Sequence, residues 1–236
     1  MRISVFVLVA TSSMCFSAQA RLIDDFTQGS LNISAGPLQT VTDVENGLDP
    51  TKVIGGERRT TARDDVSIRI NDPAPTPVPG AIFDQGILNF NGEGEFNYGD
   101  STPLHVDLTA GGTREFRLRM SGDMRAEYMQ RAILVLETSD GMGGVDVASK
   151  GWGGTFKDNG AYSTGYIPFN TFENVTDVLS ITLRFEGVPA ALVSRAFAVN
   201  HFETAIPEPA TAMLALASAL GLAAYRRSTQ FAPANA

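Results

Sequence analysis

Between residues 21 and 205, apolar and polar positions alternate in short runs separated by Gly, Asn, Asp and Pro. Alternation with period two places successive side chains on opposite faces of an extended chain, so each run predicts a short, half-buried β-strand. Three runs show it best. Val66, Ile68 and Ile70 form one; Phe116, Leu118 and Met120, with Arg117 and Arg119 between them, form another; Leu179, Ile181, Leu183 and Phe185 form a third, expected to be a central strand. Further strands are predicted at 22–26, 30–34, 38–44, 104–109, 132–138, 145–149, 164–169 and 196–204. Asn91-Gly92, between ILNFNG and GEFNYG, predicts a hairpin over 87–99, since Asn-Gly suits the turn that matches strand twist. Upstream of Val66, the arginines of GGERRTTARDDVSIRI, Arg58 among them, are expected on the surface. DPAPTPVPG, 72–80, has proline at every second position and reads as an extended loop, because proline removes the donors a sheet needs. Helical spacing is confined to DMRAEYMQR, 123–131. About a dozen short strands with regular turn signals predict an all-β fold, an antiparallel β-sandwich.

Both ends depart from this pattern. Residues 1–20 combine one basic residue, an apolar stretch and Ala18-Gln19-Ala20, the three parts of a secretory signal peptide. The expected handlers are the Sec translocation machinery and signal peptidase, with cleavage after Ala20. The single cysteine, Cys15, lies inside this leader, so the mature domain is expected to rely on core burial without disulfides.

Residues 206–227 read IPEPATAMLALASALGLAAYRR: the turn Pro207, Glu208, Pro209, an apolar stretch from Ala210 to Tyr225, and the pair Arg226, Arg227. The stretch is shorter than the roughly 20 residues that span a bilayer, which suits a temporary anchor. This order resembles the PEP-CTERM sorting signal of exported Gram-negative bacterial proteins. The resemblance implies processing by an exosortase membrane protease, transient anchoring at the inner membrane, and release to the cell surface or extracellular matrix alongside exopolysaccharide. The polar tail, 228–236, departs from that pattern. The expected organisation is therefore signal peptide 1–20, β-sandwich 21–205, sorting signal 206–227 and tail 228–236. Within the sandwich, VTDVLSITLRFEG and AFAVNHFET resemble the closing strands of jelly-roll, galactose-binding-like carbohydrate-binding modules. This second resemblance implies a jelly-roll-like sandwich, and a structural calcium at Asp24 and Asp25.

Charge and motifs narrow the chemistry. With 26 Asp and Glu against 18 Lys and Arg, the formal net charge is −8, which repels phosphate backbones and argues against nucleic acid as a partner. His105 and His201 lie far apart in strand-like runs, no Gly-x-Ser-x-Gly is present, and DGMGGVD at 140–146 lacks the residues of a phosphate loop, so it reads as a strand connection. Glu93 and Glu95 share a strand face, as a glycosidase pair would need, yet two acids on a solvated strand without long loops define no cleft. No catalytic machinery and no cofactor are expected. Trp152, Phe156, Tyr162 and Tyr166 lie within fifteen residues among Gly and Asn. Exposed, such rings would stack on sugar faces; otherwise Trp152 and Phe156 would close one end of the core. The expected function is that of an exported envelope or matrix protein associated with exopolysaccharide, with a carbohydrate-binding module as the alternative.

Overall fold

The alternating runs assemble into thirteen strands in the computed structural model, which describes residues 20–71, 81–85, 92–122, 131–152, 163–186 and 195–206. They are β1 (Arg21–Asp24), β2 (Leu31–Ser34), β3 (Thr40–Asn46), β4 (Glu57–Arg63), β5 (Val66–Ile70), β6 (Ala81–Gln85), β7 (Glu93–Tyr98), β8 (Glu115–Gly122), β9 (Arg131–Ser139), β10 (Val145–Gly151), β11 (Ser163–Pro168), β12 (Val178–Glu186) and β13 (Arg195–Ala205). The first sheet runs β11-β8-β13-β6-β5-β2, with β1 also on β13, and the second runs β10-β9-β12-β7-β4-β3. Every pairing is antiparallel. The inward faces of the two sheets share one apolar core, so the described domain is an all-β sandwich, as the alternation requires.

Phe116 sits at the middle of this core, its ring 4.8 Å from Phe169, 5.7 Å from Phe172 and 6.3 Å from Phe202. Phe202 in turn meets Tyr98 of the opposite sheet at 6.4 Å. β8 has the predicted faces: Phe116, Leu118 and Met120 are buried, while Arg117 and Arg119 point the other way. β12 is central as expected, but its inward row begins one residue early. A bulge at Leu179 shifts the register against β9 and turns Val178 inward ahead of Ile181, Leu183 and Phe185. Gly99 accommodates the bulge. Its φ is +90°, and a Cβ there would lie 2.4 Å from the Leu179 carbonyl oxygen.

Three expectations change. The segment 104–109 is not a strand but a looser run beside β12, joined to it by the Val106–Val178 bridge. Its pleat is broken by the left-handed φ of His105, +45°, and by Asp107, which accepts a hydrogen bond from the Thr109 N–H at 2.8 Å. The first arm of the hairpin expected at 87–99 lies outside the described residues, and both edges of β7 are taken by β4 and β12. Asp64 and Asp65 both adopt positive φ and carry the chain from β4 in the second sheet to β5 in the first. Arg58 is fully buried rather than exposed, whereas Arg59 and Arg63 reach solvent, where they pair with Asp100 at 2.6 Å and Glu93 at 2.9 Å. The proline-rich run 72–80, residues 123–130 of the helical spacing expected at 123–131, residues 1–19 of the leader and residues 207–227 of the sorting signal lie outside the described residues, while Arg131 begins β9. Among the described residues no helix is long and apolar enough to cross a membrane.

Candidate functional site

Arg58, Thr60 and Ala62 alternate on the inward face of β4, so the sandwich must neutralise a guanidinium in its interior. Asp24, at the end of β1, does this. One of its oxygens, Oδ2, accepts from Arg58 Nη1 at 2.7 Å and from the Tyr98 hydroxyl at 2.9 Å; the other accepts from the Phe26 N–H at 2.6 Å. Arg58 Nε and Nη2 donate to Glu45 Oε2 at 3.0 and 2.7 Å, and Nη2 also donates to the Gln28 carbonyl at 2.7 Å. Gly29 keeps this last turn close, since its φ is +79° and a Cβ there would lie 2.0 Å from Glu45 Oε1. Burial pushes the Asp24 carboxyl above its ordinary range against the opposing pull of Arg58. Burial also opposes the charge on Arg58, but Asp24, Tyr98 and Glu45 outweigh it and hold the guanidinium above the usual arginine range. Burial, then Asp24, raises the Tyr98 phenol well above its ordinary value, so it stays a neutral donor. Asp24, Arg58 and Tyr98 are closed to solvent, with Glu45 at the rim, and the cluster serves as a polar clamp between β1, β3, β4 and β7.

This clamp revises the calcium expectation at Asp24 and Asp25. The positive charge beside Asp24 is the Arg58 guanidinium. Asp25 Oδ2 holds Lys52 Nζ at 3.0 Å, and its Oδ1 accepts from the Thr27 N–H at 3.0 Å and hydroxyl at 2.5 Å. Among the described residues no group of three or more His, Cys, Asp or Glu is placed to hold a metal ion.

The aromatic residues separate. Trp152 follows β10, its N–H donating to the Ala132 carbonyl at 3.0 Å, and its half-buried ring meets Phe202 edge-on at 6.0 Å and 78°. It closes one end of the core, with its indole N–H buried and unpartnered. Tyr166 lies on β11, at the edge of the other sheet, and is 59% exposed. Phe156 and Tyr162 lie outside the described residues.

Around Tyr166 the register builds a polar surface. Tyr166 pairs with Arg117 of β8, which pairs with Glu203 of β13; one row along, Thr164 pairs with Arg119 and Arg119 with His201. These side chains share the outward face of the first sheet, opposite Phe116, Leu118 and Ile167. Arg117 donates to Glu115 at 2.8 Å and to the Ile206 carbonyl at 2.9 Å, and His201 Nε2 lies 3.1 Å from Glu203 Oε2. The result is a sheet face carrying the exposed Tyr166 ring, with planar hydrogen-bonding groups two strands deep beside it. The sequence identified Tyr166 and the outward arginines of β8, but Glu203 and His201 join them only through strand pairing.

The other candidates have local partners. His105, beside Asp177 at 3.1 Å, is exposed and away from His201. Glu93 and Glu95 face Arg63 at 2.9 Å and Arg184 at 3.4 Å across neighbouring strands, so each acid of the pair is matched by a cation. Asp140 accepts from the Met142 and Gly144 N–H groups at 2.7 and 2.8 Å, which makes DGMGGVD a capped connection between β9 and β10, as expected.

No family model matches this chain, and no curated protein matches it. Solved structures similar to it include TmCBM61 in complex with β-1,4-galactotriose, at 12% identity over 64% of this chain and 88% of that one, with a TM-score of 0.33. CtCBM11 is 13% identical over 80% of this chain and 95% of its own, with a TM-score of 0.38. The CBM22-1 xylan-binding domain of Paenibacillus barcinonensis Xyn10C is 12% identical over 80% and 96%, with a TM-score of 0.31. At these scores no residue role or ligand transfers to this chain.

Proposed function

We propose that this is an exported, non-catalytic protein that binds a neutral polysaccharide on the outward face of the first sheet, with Tyr166 as the stacking ring. The observation that carries the reading is the exposure of Tyr166 in a row with Arg117 and Glu203. An apolar sugar face stacks on a tyrosine ring, while carboxylate, imidazole and guanidinium groups hydrogen-bond the hydroxyls. The Arg117–Glu115 pair and the opposite charges of Arg119 and Glu203 on the same face leave little net local charge, which favours hydroxyl-rich neutral chains over anionic ones. Affinity electrophoresis of the purified exported protein through neutral and acidic polysaccharides tests this. Tyr166→Ala is expected to weaken retention about tenfold, equivalent to about 1.4 kcal/mol, without lowering the melting temperature, because exposed substitutions cost little stability. Unchanged retention in both Tyr166→Ala and Arg119→Ala would overturn the reading.

Delivery is a second proposal, supported by the run 206–227. β13 pairs with β8 as far as Ala205 and with β1 at Thr204, opposite Arg21, so the ends joined to the leader and to the sorting signal leave the sandwich side by side. We infer export by the Sec machinery, removal of 1–20 by signal peptidase, and exosortase processing near Pro207, Glu208 and Pro209. Arg226 and Arg227 hold the far end of the apolar stretch on the cytoplasmic side, and the processed protein passes to the cell surface or matrix. Mass spectrometry of the protein from an exosortase-competent host is expected to find the C-terminal stretch removed; an intact end at Ala236 would refute the processing step.

A further inference from the structure

Each sheet of an open sandwich has two edge strands whose unpaired N–H and C=O groups can accept another strand, and proteins usually blunt them. Among the described residues the edges are β11 and β2 in the first sheet, with the four-residue β1 paired on one side only to β13, and β10 and β3 in the second. β2 has only four residues. β11 ends on Pro168, which has no donor. β3 carries Asp43 and Glu45, which would face like charges in a paired copy. β10 is neither short nor closed by proline, and its two charges, Asp146 and Lys150, are of opposite sign: it is seven residues long, VDVASKG, with no buried position, and Val145 and Val147 are 54% and 65% exposed.

The sequence of β10 is also complementary to itself. Laid antiparallel on a second β10 about Ala148, Asp146 falls opposite Lys150 and Val147 opposite Ser149, and the two-fold axis repeats each match. Opposite charges directly across an antiparallel pair stabilise it, and like charges destabilise it. Asp146 and Lys150 lie on one side of β10, where they line an open groove of about 280 Å³ with Phe172 and Glu173; Val145 and Val147 lie on the other side.

We propose that a second copy of this chain docks along β10, joining the second sheets of the two copies edge to edge through a two-fold interface with two Asp146–Lys150 pairs. A two-fold contact is necessarily self-complementary, residue i meeting j and j meeting i, and β10 meets that condition within seven residues. A single strand pair buries little surface, so association is reversible and concentration-dependent. The inference is independent of the polysaccharide reading.

Sedimentation velocity of the purified exported protein over a rising concentration series tests it. The wild type is expected to shift from monomer to dimer. Asp146→Lys puts lysines at positions 146 and 150, and Lys150→Asp puts acids at both, so each variant alone is expected to stay monomeric under conditions where the wild type is dimeric. An equimolar mixture of the two variants restores opposite charges across the joint and is expected to recover the dimer. Both positions are exposed, so circular dichroism should show each variant folded. A wild type that stays monomeric throughout, single variants that dimerise like the wild type, or a mixture that stays monomeric would each overturn the proposal.

Discussion

Arg58→Ala is expected to destabilise the domain by about 3 to 5 kcal/mol, a large part of the roughly 5 to 15 kcal/mol that holds an ordinary domain folded. The arginine is fully buried and answers three groups at once: Asp24, Glu45 and the Gln28 carbonyl. Removing it leaves the Asp24 carboxyl in the interior without a counter-charge, and the cost of that orphaned charge exceeds the worth of the hydrogen bonds themselves. Urea unfolding followed by the fluorescence of Trp152, the chain's one tryptophan, measures the loss. Asp24→Asn combined with Arg58→Met removes both charges and is expected to cost less than the two single changes added together, because the partners are coupled. Strict additivity would show that the clamp is not a unit. Glu45→Gln should do less harm, since Glu45 lies at the edge of the cluster and reaches solvent.

Phe202→Ala is expected to cost a similar 3 to 5 kcal/mol, but by opening a cavity. Phe202 is fully buried, and its ring bridges the sheets, meeting Phe116, Tyr98 and Trp152 at 6.3, 6.4 and 6.0 Å. Because Trp152 rests on it, the variant should also shift tryptophan emission to longer wavelength in the native state, as water reaches the indole. A loss below about 1 kcal/mol would mean that the neighbouring rings collapse into the space, against the usual partial relaxation of packed cores.

These two residues were unequally visible in the sequence. Phe202 lies in a predicted strand, but a bulge between Val199 and His201 changes the parity, so Val199 and Phe202 both face inward and alternation alone does not place the ring. Arg58 follows Glu57 and precedes Arg59, and nothing in such a charged stretch marks which arginine turns inward. The available signal was parity: Arg58 shares its face with Thr60 and Ala62, which are both buried. The β12 bulge shows the converse. A local period gave Leu179 the inward place that belongs to Val178, because a bulge is decided by the neighbouring strands and leaves little trace in the alternation. The aromatic run divided for a related reason. Trp152 and Tyr166 are near neighbours in sequence but lie at the edges of different sheets, one ring turned to the core and one to solvent.

By itself the sequence determined the all-β class, the position of most strands and the inward face of the clearest ones, because alternation and turn residues act over a few neighbours. Tertiary structure alone decided which charges are buried, which aromatic is exposed and which strands are left as edges. The clamp joins Asp24 to Arg58 across 34 positions and to Tyr98 across 74, and the surface beside Tyr166 takes its residues from three strands. Such contacts depend on strand order, and strand order is set by how the whole core closes rather than by any local pattern.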